Sequence, residues 1–258
     1  MVKQKINRIF LYEGATLNYL GCLIGRTNCF IMKKLLFITG LIAINISISI
    51  AQVTETRALA DFSEITVGEA IDLILVPGNK NEARIETSNI DLEDVRLEVR
   101  GSNLKVDIEG TRHRNISVKI TLTYKSIEAI SISSAASVST KGAIKSSSLD
   151  IDVSTAGNAN LEIEASEINI DVTSAGELEL KGSTISQRVN VSSAGEYRGY
   201  NLNCQDAYVR VSSAGSARVT ATKKIDAKAN SAGSVVYKGN PQKVYVNTNS
   251  GGSARKSS

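Results

Sequence analysis

The chain has 258 residues, of which 42% are hydrophobic and 22% charged. An apolar fraction of that size excludes low-complexity disorder, and the length allows one large domain or two small ones. One His, three Cys and no Trp leave little material for zinc sites or histidine-based catalysis, and the formal charge of +4 has to be located along the chain before it means anything.

Met32-Lys33-Lys34 is followed by an apolar run from Leu35 to Ile50, ending Ser49-Ile50-Ala51 before Gln52. A positive start, an apolar core and small residues at −3 and −1 of a cut after Ala51 make residues 32–51 a secretory signal peptide. The run is about 16 residues, short for a spanning helix, and no stop-transfer charges follow. No Cys stands at the cut, so a lipid anchor is not expected. Residues 1–31 precede a complete signal and read as a mis-assigned extension, with Met32 the true start. Six Lys/Arg and one acid, Glu13, leave with residues 1–51, and the remainder carries 24 basic and 25 acidic side chains, net −1. The mature chain therefore has no overall electrostatic footprint for nucleic acid, and no second segment fit to span a membrane. Cys22 and Cys29 leave as well, and Cys204 alone cannot form an internal disulfide.

Residues 52–129 alternate apolar and polar at Ile65/Val67, Ile71/Leu73/Leu75, Val95/Leu97/Val99, Leu104/Val106/Ile108 and Ile116/Val118/Ile120/Leu122. Pro77-Gly78-Asn79-Lys80 and Gly101-Ser102-Asn103 read as turns. This is a β-rich N-terminal portion that covers or continues the coil that follows, and a solenoid end needs such cover over its unpaired strand edges.

Residues 130–255 carry a motif that recurs seven times. Its copies are Ser133-Ser134-Ala135-Ala136, Ser154-Thr155-Ala156-Gly157, Thr173-Ser174-Ala175-Gly176, Ser192-Ser193-Ala194-Gly195, Ser212-Ser213-Ala214-Gly215, Asn230-Ser231-Ala232-Gly233 and Asn249-Ser250-Gly251-Gly252. The fourth positions lie 21, 19, 19, 20, 18 and 19 residues apart, the regular spacing of a solenoid. Apolar residues stand six places before the fourth position (Ile130, Ile151, Ile170, Val189, Val209, Ala227, Val246) and polar ones alternate with them. Period two on both sides of a turn means strand, turn, strand. The fold class is all-β: a parallel β-helix of about seven coils of ~19–20 residues, equivalent strands stacked ~4.8 Å apart. Glycine is expected to supply positive φ at each corner, and the Ser/Thr/Asn positions to cap backbone groups or stack as hydroxyls. Residues 251–258 are small and polar and are expected to fray.

The residues next resemble a family. Phe62-Ser63-Glu64-Ile65 with Val67-Gly68, the turn Pro77-Gly78, Leu104-Lys105-Val106, and Ile127-Glu128-Ala129-Ile130 lead into Ser133-Ser134-Ala135 and its serine-alanine-glycine successors. This order resembles the secreted bacterial family known as putative autotransporter adhesin, head GIN domain, common in Bacteroidetes, over nearly all of residues 58–255. The resemblance implies a parallel β-helix of pectin-lyase type, no established catalytic residues and a role in adhesion. The chain shows no translocator barrel region, so the mechanism in the family's name is not carried over.

Outward positions hold the candidate sites. Asp150, Asp152 and Asp171 fall on adjacent outward positions of neighbouring coils, with Arg188 and Arg210 in the same columns. Clustered carboxylates can hold Ca²⁺ and an Arg can assist at a uronate, the basis of an alternative reading as a lyase-like polysaccharide enzyme. Solvation accounts for the same three acids, as it does for Glu162, Glu164, Glu177 and Glu179 and for His113 in a polar loop. Among the six tyrosines after the leader, Tyr197 and Tyr237 point inward as core, whereas Tyr208, Tyr245 and Tyr200 are candidates to stack on sugars or anchor a protein. The resulting expectation is an exported, non-catalytic binding module without a cofactor, meeting an unknown glycan or protein at the cell envelope. A periplasmic scaffold is the remaining alternative.

Overall fold

The computed structural model describes residues 53–110 and 115–257. The expected extension over 1–31, the signal peptide over 32–51 and His113 lie outside the described residues.

Each recurring motif is a corner. In Ser192-Ser193-Ala194-Gly195 the Gly195 N–H donates to the Ser192 carbonyl at 2.9 Å, closing a four-residue turn. Its two central residues, Ser193 and Ala194, have φ of 50° and 61°. Those are the signs of a type I′ turn, built here without a central glycine. The expectation that glycine supplies the positive φ holds only at the last corner, through Gly251; at the other six Ser or Thr and Ala do so, and the fourth-position glycines are needed for space. A Cβ on Gly195 would stand 2.7 Å from the Val172 carbonyl oxygen, and one on Gly176 2.6 Å from that of Val153. The Ala N–H at each corner donates to the next coil's second-position carbonyl, as from Ala175 to Ser193 and from Ala194 to Ser213, both at 3.0 Å. The hydroxyl stacking expected there occurs between Thr173 Oγ1 and Ser192 Oγ, 3.2 Å apart.

The strands follow from these corners. The N-terminal portion contains β1 (Val53–Ala58), β2 (Glu64–Val67), β3 (Asp72–Pro77), β4 (Glu82–Ser88), β5 (Val95–Arg100), β6 (Asn103–Ile108) and β7 (Ser117–Tyr124). The coils continue with β8 (Ala129–Ile132), β9 (Ser137–Thr140), β10 (Ile144–Val153) and the long β11 (Asn158–Val172), β12 (Glu177–Val191) and β13 (Glu196–Val211). They end with β14 (Ser216–Thr220), β15 (Lys224–Ala229), β16 (Ser234–Lys238), β17 (Lys243–Thr248) and β18 (Ser253–Lys256). No helix among the described residues is long and apolar enough to cross a membrane.

The register divides these strands into two sheets. Sheet one stacks β6, β2, β8, β10, the second halves of β11, β12 and β13, then β15 and β17, all parallel. Sheet two stacks β7, β3, β9, the first halves of β11, β12 and β13, then β14, β16 and β18. The result is a parallel β-solenoid of about seven turns. Its N-terminal end is closed by antiparallel strands, β5 on β6, and β4 on β7 with β1 beyond it. The N-terminal portion also hides one more corner. Glu69 and Ala70 have φ of 62° and 56°, and the Ala70 N–H donates to the Ser134 carbonyl. The expected fraying at the C-terminus is corrected in part, because Ser253–Lys256 pair with β16.

Between the sheets lies a core of stacked like residues, such as Ile65, Ile130, Ile151, Ile170, Val189 and Val209, all at most 1% exposed. Burying each such side chain contributes roughly 1.5–3 kcal/mol. Tyr197 and Tyr237 are buried, as expected. The Tyr197 hydroxyl donates to Gln187 Oε1 at 2.9 Å, joining sheet two to sheet one through the core. The ring needs the space over Gly199, where a Cβ would meet the Tyr197 oxygen at 2.4 Å. A register shift falls at that point, which accounts for the longer coil between Gly195 and Gly215.

The opposite bend, from sheet two to sheet one, has its own column. Ser146 Oγ, Thr184 Oγ1 and Cys204 Sγ each donate to the carbonyl two residues on, at 2.5, 3.0 and 3.2 Å. Cys204 is thus a buried member of a structural column, its thiol pKa pushed up to about 12 by burial.

Corner spacing gives a direct test. Gly176→Ala and Gly195→Ala are each expected to lower stability in urea unfolding by about 1–3 kcal/mol, the usual cost of overpacking. Ser193→Ala, at an exposed position already in the left-handed region, is expected to stay within about 0.5 kcal/mol.

Candidate functional site

Alternation along sheet one sends three rows of side chains outward. One row is Ser148, Glu167, Ser186, Asp206, Lys224 and Lys243. The next is Asp150, Asn169, Arg188, Tyr208, Asp226 and Tyr245. The third is Asp152, Asp171, Asn190, Arg210, Lys228 and Asn247.

The three candidate acids are neighbours in these rows, but they do not form a convergent set with either arginine. Asn169 Nδ2 donates to Asp150 Oδ1 at 2.8 Å, and Arg188 donates to Asn169 Oδ1 at 3.1 Å, so the asparagine separates acid from base. Arg210 stands two rungs beyond Asp171, with Asn190 between them. Among the described residues no group of three His, Cys, Asp or Glu side chains is placed to hold a metal ion. Desolvation, then the charges of Asp171 and Asp150, raise the Asp152 pKa above its ordinary 3.8, while a bond from Ser131 works against them. This is the electrostatics of like charges stacked a rung apart.

The tyrosines divide between the sheets. Tyr208 and Tyr245 share one row of sheet one, with Asp226 on the rung between them. Lys224 Nζ lies 4.5 Å from the Tyr208 ring centroid and 5.6 Å from that of Tyr245, so one ammonium spans both rings. Tyr245 is 55% exposed. Tyr200 belongs to sheet two, where Lys238 Nζ lies 4.2 Å over its ring and Thr220 donates to its carbonyl. The three do not form one patch.

The net charge of −1 over residues 52–258 conceals a separation that the coils make visible. Residues 128–179 carry Glu128, Asp150, Asp152, Glu162, Glu164, Glu167, Asp171, Glu177 and Glu179 against Lys141 and Lys145. Residues 207–258 carry Asp226 alone against Arg210, Arg218, Lys223, Lys224, Lys228, Lys238, Lys243, Arg255 and Lys256. On sheet two the cations are partly neutralised: Arg198 pairs with Glu177 at 3.2 Å and with Glu196 at 2.7 Å, and Arg218 also pairs with Glu196. On sheet one Arg210, Lys228 and Lys243 join no ion pair among the described residues. Beside them a shallow cavity of about 370 Å³ is lined by Asn190, Ser192, Arg210, Ser212, Lys228 and Asn230 with two valines. Lys228 falls in the polar column of Asp152, Asp171, Asn190, Arg210 and Asn247 that the sequence shows, whereas Lys224 and Lys243 were missed, although they stand 18 and 19 residues apart in the row of Asp206.

A stack of coils with polar rows on its outer faces defines a parallel β-solenoid. The chain belongs to the family described as Putative auto-transporter adhesin, head GIN domain, whose model matches residues 61–241. A solved putative adhesin from Bacteroides fragilis is similar with a TM-score of 0.75 and 19% identity, covering 81% of this chain and 98% of that one. One from Parabacteroides merdae has a TM-score of 0.66 and 16% identity, covering 80% and 96%. A putative lipid binding protein from Parabacteroides distasonis has a TM-score of 0.64 and 20% identity, covering 80% and 97%. At these identities the likeness is one of fold. No curated protein matches the chain.

The raised Asp152 pKa sets a pH test. Above its folded-state pKa the ionised carboxyl opposes folding; the penalty fades as pH falls and is gone below about 3.8, where folded and unfolded chains are both protonated. Asp152→Asn is therefore expected to raise the melting temperature at pH 7 by no more than a few degrees, with the gain vanishing at pH 3.

Proposed function

We propose that the chain is an exported, non-catalytic binding module of the bacterial cell envelope, of adhesion type, presenting one face of a rigid β-helix to a glycan or a protein. Membership in an adhesin family supports the binding role. The apolar leader after Met32-Lys33-Lys34 supports export. The observation that carries the reading is the pair Tyr208 and Tyr245, two rungs apart in one outward row with Lys224 across both rings.

Tyrosine suits such a role because its ring offers a large contact at small entropic cost, and its hydroxyl is satisfied in water before binding. The sheet holds the two backbones in register, so the rings need little ordering when a partner arrives. Lys224 restrains them further through contacts worth roughly 0.5–1 kcal/mol each at an exposed site.

The test is a glycan and protein binding panel with the exported protein and a Tyr208→Ala/Tyr245→Ala variant. Loss of two anchoring tyrosines is expected to weaken binding at least tenfold, in line with a hot-spot cost of about 2 kcal/mol or more. Unchanged binding would remove these residues from the function.

A further inference from the structure

Over the last three coils the outward rows of sheet one form a strip. Its middle holds Tyr208, Asp226 and Tyr245; Asp206, Lys224 and Lys243 flank one side, and Arg210 and Lys228 the other, so cations outnumber acids four to two. Successive rungs are ~4.8 Å apart, and the two flanks are separated by four residues of strand, about 13 Å. Like charges stacked at that spacing repel, and among the described residues no carboxylate pairs with Arg210, Lys228 or Lys243. Folding alone gives no reason to collect them. The cavity beside Arg210 and Lys228 adds amide and hydroxyl groups from Asn190, Ser192, Ser212 and Asn230 on the same side.

We propose that this strip binds an acidic polysaccharide, its sugar rings lying along the tyrosine row and its carboxylate or sulfate groups meeting the flanking cations. The proposal rests on the binding-module reading and names the ligand class. Two features favour a glycan over other polyanions. Asp226 between the tyrosines is an acceptor for the ring hydroxyls that every sugar of a polysaccharide carries, whereas the sugars within a DNA strand offer it no free hydroxyl. The outward rows from Ser186 to Asn247 contain no Leu, Ile, Phe or Trp to enter a bilayer, so an anionic lipid surface would be held by charge alone.

The experiment measures binding of the exported protein to polygalacturonate, to its methyl-esterified neutral form and to chondroitin sulfate by calorimetry. At least one acidic polymer is expected to bind, with affinity falling as salt rises. The neutral ester is expected to bind at least tenfold more weakly than polygalacturonate if that polymer is the one bound. Arg210→Gln/Lys228→Gln/Lys243→Gln is expected to lose at least tenfold at an unchanged melting temperature, since these side chains are exposed and unpaired. Tight binding of the neutral ester, or unchanged binding by the triple variant, overturns the acidic ligand while leaving a tyrosine-dependent binding module intact. Failure with both acidic polymers, alongside a neutral glycan or protein found in the panel, does the same. Tighter binding to single-stranded DNA or to phosphatidylglycerol vesicles than to either acidic polymer overturns the glycan. Binding to nothing at all removes both readings.

Discussion

Contact between backbones at the serine-alanine corners is the constraint on which the rest depends. Every corner but the last, where Gly251 follows Ser250, puts two successive non-glycine residues into the left-handed region, at roughly 1–2 kcal/mol per residue. That cost is offset by a hydrogen bond from each corner alanine to the next coil and by a glycine that lets the carbonyl of the coil before approach. A methyl group at Gly176 or Gly195 would force neighbouring coils apart at the corner that joins sheet one to sheet two. Holding the coils together there holds the register of both faces, and only a fixed register turns residues about 19 positions apart into continuous rows.

The interior tolerates variation that the corners do not. Coil length changes between neighbours, and the change is absorbed away from the corner, at the register shift after Glu179 and at the opposite bend. Tyr197 shows how. Its ring crosses the core to Gln187, Gly199 gives up a side chain to make room, and the extra residue of that coil stands next to it. The energetic logic is that of a packed interior, where a large side chain is accommodated by a small one facing it. Outward rows on sheet one keep their alignment through all of this, because the shift falls within sheet two.

Much of this was legible in the sequence because the corner is nearly invariant within the chain. Seven copies at nearly constant spacing, with Ile and Val at fixed offsets, leave no other fold, and the outward placement of Tyr208 and Tyr245 follows by counting. The corner at Glu69-Ala70 was not legible, since Val67-Gly68-Glu69-Ala70-Ile71 shares only its alanine and its backbone shape with the others. The opposite bend escaped because its column, Ser146, Ala165, Thr184 and Cys204, shares small size rather than identity. Tyr200 looked like a partner of Tyr208 by proximity in sequence, yet the bend between them places the two on different sheets. The role of glycine was misjudged because sequence shows that a side chain is missing, and not whether torsion or space requires it.

Charge is where the fixed register matters most for function. A chain with net charge near zero can still act as a strongly charged surface if its acids and bases occupy different coils, because screening at physiological salt confines each to about 8 Å. Sheet two partly neutralises its cations with Glu177 and Glu196; on sheet one Arg210, Lys228 and Lys243 join no ion pair among the described residues. The same rows begin with Asp150, Asp152, Glu167 and Asp171, and Asp171 stands two rungs before Arg210. An anionic chain lying along the strip therefore meets repulsion if it extends toward the N-terminal coils. The acids do not need a metal or a reaction to have a consequence. On the proposed reading, their place upstream in the same columns opposes an anionic chain that extends toward the N-terminal coils, so selectivity draws on repulsion as well as attraction.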